Sequence, residues 1–334
     1  MFSRVTGKAA PRRWAAGDRA LLMATGAAFL AAAALAADSL WLEPHRLQRR
    51  CYTVPLNGLP LDLDGLTILH LSDFHYVPRD AWLSTRLAEL AAETAANPPD
   101  LIAFTGDLVE WDEDAPAIAA LLGAMTARLG SFAVLGNHDY GNAVDPHDPE
   151  RHSLMNAFSE LVGVPLQRYR ERLPKPAGNC IVPIIAALEH EHVTLLRNTA
   201  VRLSVGATPL WIGGVDEPHQ HRANPALVFA AIPAHDLVLL LAHSPEVLEC
   251  SFPRSPDLIL AGHTHGGQVR LPWLSPLVTH TRVPLPAYQG LIATQHGPMH
   301  ISPGIGASIP LRFRCPPEVT TLVLRAEREP PRDN

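Results

Sequence analysis

The chain has 334 residues, of which 47% are hydrophobic, so it can form one large α/β domain with a sizeable core or two small ones. Its formal net charge of -6 excludes the basic footprint of a nucleic-acid-binding protein. Its four cysteines are far apart and form no CxxC pair, which argues against a zinc ribbon and against a disulfide framework. We interpret them as small buried residues, and a disulfide stays possible if the domain lies outside the cytoplasm.

The N-terminal segment combines basic residues with an uncharged, alanine-rich run. Residues 1–19 form a basic tail that carries Arg4, Lys8, Arg12, Arg13 and Arg19. The run that follows, Ala20 to Ala37, is near the minimum of roughly 17–25 residues for a membrane span. The charges predict a single-pass inner-membrane anchor or export signal, with a cytoplasmic N-terminus and the rest of the chain on the periplasmic or outer side. A cleaved signal peptide and a soluble alanine-rich helix are the alternatives.

After this segment we expect a connector at 38–60, one domain at 61–328 and a tail at 329–334. Five apolar runs within the domain each end in a small, polar turn. In chain order they are LTILHLSDFH (66–75), LIAFTGDLVE (101–110), FAVLGNHDYG (132–141), LVLLLAHSPE (237–246) and LILAGHTHGG (258–267). Short apolar runs bounded by such turns are typical of buried strands.

Helical patterns lie between the predicted strands. One helix is expected to start near Asp80 and to stop before Pro98, and a second to end at Gly130 as its C-cap. Residues 142–182 are polar and rich in proline, which predicts an insertion or cap with one short helix near Leu154–Val162. The stretch VRLSVGATPLWIGGVDEP predicts a β-hairpin, and the C-terminal part supplies further strands. Strands that alternate with helices indicate an α/β fold.

Histidines, carboxylates and one amide follow the predicted strands directly: Asp73, His75, Asp107, Asn137, His138, His243, His263 and His265. The carboxyl ends of strands are where open α/β sheets place their sites. This donor set has no thiolate and suits divalent Mn, Fe, Zn or Co. It exceeds what one four-coordinate ion needs, whereas two ions that share a bridging carboxylate would use all of it. Residues i and i+2 of an extended segment point to the same side, so Asp73 and His75 are expected to bind one ion.

Each turn taken alone has a simpler explanation. GNHD is compatible with a tight turn that uses asparagine, and AHSPE with a helix that has Ser244 as N-cap and Pro245 at N1. A single buried histidine is more often a core residue than a ligand. Five such turns, in order after five strand-like runs, are hard to attribute to coincidence. The glycines of GHTHGG permit a sharp turn without a Cβ penalty.

The series DFH, GD, GNHD, AHSP and GHTH resembles the pattern DxH, GD, GNH(D/E), H, GHxH of the calcineurin-like metallophosphoesterase superfamily. The resemblance runs from about Leu66 to Val323. Two further stretches, GHTHGGQVRLP and GIGASIPLRFRCPPEVTTL, are similar to the bacterial membrane-associated branch typified by the YkuE and YaeI phosphodiesterases. The stretch GGQVRLP has no physical explanation at this point beyond that similarity.

The resemblance implies a four-layer α/β/β/α sandwich with a dinuclear metal site, most often of manganese. Carried over to this chain, it implies that Asp73, His75 and His265 bind the first ion. Asn137, His243 and His263 would bind the second ion, and Asp107 would bridge the two. His138 would act near the leaving-group oxygen as a general acid or as a transition-state stabiliser, with Glu110 as its acidic partner. Asp139 is expected to hold the turn.

The resemblance further implies a phosphohydrolase in which a metal-bridging hydroxide attacks phosphorus in line. A phosphodiesterase or pyrophosphatase is favoured, acting on a lipid-linked or nucleotide-lipid substrate at the membrane. A phosphomonoesterase on a small substrate is an alternative, and a catalytically inactive binding protein on the same fold is another. A mononuclear zinc hydrolase is a further alternative, which would leave Asn137 and His243 unused.

Overall fold

The computed structural model describes residues 16–141, 178–271, 273, 276 and 279–327, with side chains described from residue 23 onward. Helix α1 (Ala16–Ala37) opens the described chain and continues without a break into short helical turns at Asp38–Leu42 and Glu43–His45. The stretch Met23–His45 is long and apolar enough to cross a membrane, with a mean hydropathy of 1.5. Its length and composition therefore agree with the predicted N-terminal hydrophobic helix.

Twelve strands within the described residues form two six-stranded sheets. They are β1 (Gln48–Leu56), β2 (Thr67–Leu71), β3 (Leu101–Thr105), β4 (Gly130–Val134), β5 (Thr194–Leu195), β6 (Thr199–Val205), β7 (Thr208–Gly214), β8 (Leu237–Leu241), β9 (Leu258–Ala261), β10 (Gly290–Thr294), β11 (Gly297–Ile301) and β12 (Glu318–Ala326). The first sheet has the order β1-β12-β2-β3-β4-β5, and the second β10-β11-β9-β8-β7-β6. Strands β2 to β5 run parallel, as do β7, β8, β9 and β11.

The sheets and helices stack as four layers. Helices α2 (Ala81–Ala96), α3 (Ala115–Gly123) and α4 (Ile181–His190) bury residues such as Leu87 and Ile118 against the outer face of the first sheet. Alternate side chains of the same strands, among them Ile68 and Val134, meet residues of the second sheet in a separate core. Helix α5 (Pro225–Phe229) and the short turn Pro245–Glu249 cover the other face of the second sheet. The α/β/β/α sandwich is thus confirmed, with a thin fourth layer.

Most predicted elements agree with the structure. All five apolar runs form strands, α2 starts after the N-cap Asp80, and β6 and β7 form the predicted hairpin. The predicted C-cap at Gly130 is wrong, because α3 ends at Gly123 and Gly130 is the first residue of β4. Ser244 lies at the predicted N-cap position, but its side chain makes no capping hydrogen bond there.

The connector predicted at 38–60 is also wrong in part, because β1 lies inside it and pairs with β12 along its whole length. The insertion predicted at 142–182 lies mainly outside the described residues, as does its helix near Leu154–Val162. Its last residues belong to the α-helical layer, since α4 begins at Ile181. All four cysteines are free, and Cys51 and Cys180 are exposed rather than buried as expected.

Candidate active site

The site lies where β2, β3 and β4 of the first sheet and β8 and β9 of the second sheet reach their carboxyl ends. Each predicted turn begins there, and its backbone is unusual. Five of the predicted ligands have a left-handed φ: Asp73 (54°), His75 (43°), Asp107 (51°), His263 (70°) and His265 (47°). The expectation that Asp73 and His75 share a side because the segment is extended is therefore wrong. The two side chains converge because the backbone turns at both residues.

Asp73, His75 and His265 form a first donor set, in which the ligand atoms lie within 4.8 Å of one another. His75 Nε2 is 3.1 Å from His265 Nε2, which is in turn 3.6 Å from Asp73 Oδ1. Both oxygens of Asp73 accept hydrogen bonds from the amide of His263, at 3.0 and 3.1 Å. The amide of His263, which follows β9 of the second sheet, thereby fixes the carboxylate of Asp73, which follows β2 of the first sheet.

Asn137, His243 and His263 form a second donor set. His243 Nε2 is 3.1 Å from Asn137 Oδ1 and 3.1 Å from His263 Nδ1. His243 Nδ1 donates a hydrogen bond of 2.7 Å to the carbonyl of Thr105. This bond assigns the proton to Nδ1 and directs the Nε2 lone pair at the cluster. His263 and His265 belong to different sets although only one residue separates them.

Asp107 lies between the two donor sets. Its Oδ2 is 3.4 Å from His75 Nε2 of the first set and 3.2 Å from His243 Nε2 of the second. Its Oδ1 accepts a 2.9 Å hydrogen bond from the amide of His138. Gly136 makes room for this arrangement, because a Cβ at that position would collide with Asp107 Oδ1. The amide of His138 therefore holds Oδ1 of Asp107, and Oδ2 faces both donor sets.

The donor atoms have the spacing that divalent cations require. Metal bonds of about 2.0–2.2 Å place neighbouring ligand atoms about 3.0–3.5 Å apart, and neighbouring donors of the two sets lie 3.1–3.6 Å apart. The buried carboxylates of Asp73 and Asp107 also need positive charge nearby to offset their burial. Burial alone would lower the pKa of His243, but in the absence of a cation a proton on His243 would balance Asp107, which raises that pKa well above its ordinary value. The chemistry and spacing of the cluster therefore fit bound divalent cations.

A histidine–glutamate pair flanks the first donor set. His138 Nδ1 is 3.4 Å from Glu110 Oε2, which also accepts hydrogen bonds from His75 Nδ1 at 3.2 Å and from Ser308 Oγ at 3.1 Å. Burial would lower the pKa of His138, but the charges of Glu110 and Asp107 raise it to about 9. Burial would raise the pKa of Glu110, but His138 and His75 hold it well below its ordinary value. Glu110 and His138 therefore form an ion pair, and the hydroxyl of Ser308 donates a hydrogen bond to its carboxylate.

Asp139, which follows His138, supports the turn from behind. Its Oδ1 accepts hydrogen bonds from the amides of Leu108 and Val109, at 2.8 and 3.1 Å, and its Oδ2 accepts one from Gly136 at 2.8 Å. The side chain is completely buried. Asp139 thus joins the turn after β4 to the turn after β3.

Sequence reasoning missed a second histidine–glutamate pair, next to the second donor set. His219 Nδ1 is 3.6 Å from Glu246 Oε1, and these residues form a further potential metal-binding group with His263. Both were detectable in the sequence. Glu246 closes the turn AHSPE, and His219 follows β7 in another apolar run that ends in polar residues, WIGGVDEPH. Ser308 lies in an irregular loop without such a pattern.

Comparison with known proteins agrees with this geometry. The family model for the calcineurin-like phosphoesterase matches residues 66–267, which span all five turns. The chain belongs to this family. The phosphoesterase is 31% identical to phosphodiesterase YaeI of Escherichia coli, over 77% of this chain and 81% of YaeI. It is 27% identical to the uncharacterized metallophosphoesterase YkuE of Bacillus subtilis, over 89% and 94% of the two chains.

A third relative carries a more specific name. The phosphoesterase is 27% identical to the UDP-2,3-diacylglucosamine pyrophosphatase LpxG of Chlamydia trachomatis, over 84% of this chain and 90% of LpxG. These relatives support the branch expected from GHTHGGQVRLP. The phosphoesterase is thus a phosphoric ester hydrolase of the YkuE- and YaeI-like branch, a member of a family that binds divalent metal ions. Its N-terminal apolar helix makes membrane association plausible.

Proposed function

We propose that the phosphoesterase binds two divalent cations and hydrolyses phosphodiesters or phosphoric anhydrides. The position of Asp107 Oδ2 carries this proposal, because it lies 3.4 and 3.2 Å from the facing nitrogens of the two donor sets. A single ion would use only one set. Asp73, His75 and His265 would hold the first ion, Asn137, His243 and His263 the second, and Asp107 both. The oxygen and imidazole donors suit divalent manganese, iron, zinc or cobalt, and the resemblance to the superfamily favours manganese among them.

Two cations held in this way would polarise a phosphate oxygen and lower the pKa of a water molecule between them. The protein groups contribute the remaining chemistry. Glu110 faces Nδ1 of His138, which turns His138 Nε2 away from the carboxylate. That nitrogen is suited to donate a proton to a leaving oxygen, and Glu110 stabilises the charged form that does so. Ser308, which bonds both Glu110 and His75, holds this carboxylate in place.

Two considerations favour a substrate anchored in a membrane. Relatives named as a phosphodiesterase and as a UDP-2,3-diacylglucosamine pyrophosphatase match most of the chain. In addition, α1 continues into Asp38–His45, where Ser39, Leu40 and Glu43 are buried against the domain. The segment after α1 is thus packed against the domain, which supports a retained anchor over a cleaved signal. The basic tail favours a cytoplasmic N-terminus and a catalytic domain on the outer side of the inner membrane.

An activity screen of the full chain in detergent, with Mn²⁺ added, tests the proposal. Bis(p-nitrophenyl) phosphate, p-nitrophenyl phosphate and UDP-2,3-diacylglucosamine would be compared at equal concentrations. We expect hydrolysis of the diester or of the nucleotide lipid, with the monoester slower. Preference for the monoester would favour a phosphomonoesterase. No turnover together with fewer than one bound metal equivalent would indicate a binding protein.

Variants test the assigned roles. In Asp107→Asn we expect the metal content to fall below two equivalents and kcat/KM to fall by at least about 100-fold, because the shared ligand loses its charge. In His138→Ala we expect retained metal and a loss of about 10²–10⁴-fold in kcat. Asp257→Asn, at the opposite end of the second sheet where Asp257 accepts the amide of Val238, is the matched control. Full activity of His138→Ala would refute the role of this histidine.

A further inference from the structure

The topology of the first sheet brings α1 to the same end of the molecule as the metal site. Strand β1 is parallel to β12, and β12 is antiparallel to β2. The start of β1 therefore lies beside the carboxyl end of β2, where Asp73 and His75 follow. Helix α1 leads through Asp38–His45 directly into β1. The end of the membrane-spanning helix and the active site thus share one end of the sheet.

A buried arginine connects the end of α1 to the loop beside Asp73. The amide of Arg312 donates a 2.9 Å hydrogen bond to the carbonyl of Ser39. Its guanidinium, which is 1% exposed, donates to the carbonyls of Pro303, Gly304, Gly306 and Cys315 at 2.7–3.4 Å. The next connection reaches the site, because the amide of Gly306 donates to the carbonyl of Asp73 at 2.9 Å.

The stretch GGQVRLP, which follows His265, joins the same structure. Gln268 accepts a 2.8 Å hydrogen bond from the amide of Phe313 through its carbonyl, and its side-chain amide donates to the carbonyl of Ile309 at 3.3 Å. The amide of Arg270 donates to the carbonyl of Phe313 at 3.0 Å. This segment therefore pairs with the loop whose residue Arg312 is bonded to the end of α1. Residues 266–271 therefore connect the turn that carries His265 to the segment that follows α1.

Exposed apolar side chains line this connected region. Trp41 and Leu42 are each 59% exposed, Leu271 is 36% exposed and Trp273 is fully exposed. We call these four residues the apolar rim. Burial of such side chains in hydrocarbon or in the headgroup region is favourable, whereas their exposure to water is costly. Trp41 and Leu42 of the rim follow α1 directly in the chain, and the described side chains of α1 from residue 23 to 36 are also exposed.

The length of α1 sets the depth of the rim. The uncharged run Ala20–Ala37 spans about 27 Å at about 1.5 Å per residue, close to the roughly 30 Å hydrocarbon core of a bilayer. Trp41 follows one helical turn later, at the level where membrane proteins concentrate tryptophan. Arg312 bonds Ser39, and its chain neighbour Phe313 bonds Arg270, so Leu271 lies near the segment that carries Trp41.

We propose that the apolar rim docks onto the bilayer that holds α1, so that the active site opens at the membrane surface. It would then receive phosphate groups whose organic substituent is a lipid of the same bilayer. This inference rests on the proposed function and adds to it the surface through which the site would meet a lipid substrate. A water-soluble ester of the same chemistry would reach the site without using the rim.

Full-length phosphoesterase in lipid nanodiscs tests this, with bis(p-nitrophenyl) phosphate in solution and UDP-2,3-diacylglucosamine in the bilayer. In Leu271→Asp we expect kcat/KM for the bilayer substrate to fall about tenfold, because docking would bring a new charge to the edge of the hydrocarbon, with the soluble diester unaffected. Leu61→Asp is the matched control, because Leu61 is 85% exposed and lies beyond the other end of β1. Equal losses for Leu271→Asp and Leu61→Asp, or none for Leu271→Asp, would overturn the proposal.

Fluorescence quenching by brominated lipids provides a test that does not depend on turnover. We expect these lipids to quench part of the tryptophan emission, and Trp273→Phe to reduce the quenched part. An unchanged quenched part in Trp273→Phe would overturn docking even in an active enzyme. If brominated lipids quench the emission of Trp273 but the protein hydrolyses neither substrate, the proposed function is refuted while docking of the rim is supported.

Discussion

The carboxylate of Glu246 lies next to the second donor set but is not one of its predicted ligands. Its Oε1 faces His219 at 3.6 Å and accepts a 3.0 Å hydrogen bond from the amide of Arg282. Burial alone would raise the pKa of Glu246, but the nearby imidazoles of His219 and His263 hold it well below its ordinary value. His263 Nε2 is buried and has no hydrogen-bond partner among the described residues. Glu246 is thus an ionised neighbour of a predicted metal ligand.

Glu246 and His263 offer ligand atoms within 4.8 Å of each other, and a negative charge at that distance favours a cation bound to the imidazole. For Glu246→Gln we therefore expect the Mn²⁺ concentration for half-maximal activity to rise about 10–100-fold, with kcat at saturating Mn²⁺ nearly retained. Activity measured across a Mn²⁺ titration tests this. A purely structural role would instead lower thermal stability and leave the metal dependence unchanged.

The matched control is Glu249→Gln in the same short helical turn. Glu249 is 52% exposed and pairs with Arg282 through side chains only. We expect this variant to titrate with Mn²⁺ as the unsubstituted protein does. An equal shift in both variants would mean that the turn, and not the carboxylate of Glu246, positions His263.

The turns after the strands are where the sequence is most informative. Each carries its polar residues within a few positions of an apolar run, so both the strand and the candidate ligands could be predicted from local pattern. The left-handed backbone at Asp73, His75 and Asp107 could not, because residues other than glycine rarely adopt it. It is maintained by contacts between turns, such as the amide of Asp73 donating to the carbonyl of Gly106 at 3.0 Å.

Strand β1 and helix α4 are two of the elements that escaped prediction, for different reasons. Strand β1 has no apolar run, since most of its residues are exposed, and its pairing with β12 joins distant parts of the chain. Helix α4 follows the polar insertion and carries Pro183 in its first turn, which conceals a helix that buries only Ile184 and Leu188. Pairings over long sequence distances and short helices with few buried residues leave little local signal.

The turn after β9 depends on the absence of a side chain at Gly262. A Cβ there would collide with Ser72 Oγ and Asp73 Oδ2. In Gly262→Ala we therefore expect Asp73 to be displaced, with kcat/KM lower by at least about tenfold and weaker metal binding. Steady-state kinetics with a metal analysis of the purified protein test this.

Gly26→Ala is the matched control, because a Cβ at Gly26 would meet no atom within 4 Å. We expect its kinetics and metal content to equal those of the unsubstituted protein. Normal metal content in Gly262→Ala would show that the site can relax around the added methyl group, contrary to the close packing of the two turns.

A buried histidine pair joins the two sheets across the core of the molecule. His70 on β2 and His300 on β11 are completely buried, and their Nδ1 atoms are 2.8 Å apart. His70 Nε2 also bonds Thr105 Oγ1 at 2.8 Å. Burial lowers the pKa of His300 to about 3 and, together with His300, holds the pKa of His70 well below its ordinary value. The two sheets are therefore joined by neutral imidazoles.

This pair makes the free energy of unfolding depend on pH. The pKa values in the folded protein lie below the unfolded value of about 6.5, so the stability they contribute is complete above that pH. As the pH falls, the unfolded chain binds protons that the folded chain does not bind until about pH 3 at His300. Between pH 7 and 5, protonation linked to His300 is expected to remove about 2 kcal/mol of stability, and His70 acts in the same direction.

His300→Gln removes one titrating group and keeps a side chain that can accept a hydrogen bond from His70. We expect its unfolding free energy to fall between pH 7 and 5 by about 2 kcal/mol less than that of the unsubstituted protein. Urea unfolding of both proteins in the same detergent measures this difference. Mn²⁺ is kept in excess so that the metal site contributes equally to the stability of the two proteins. His190→Gln, whose side chain is 84% exposed, should keep the full dependence. Equal pH dependence in His300→Gln would mean that His300 takes up its proton in the folded state.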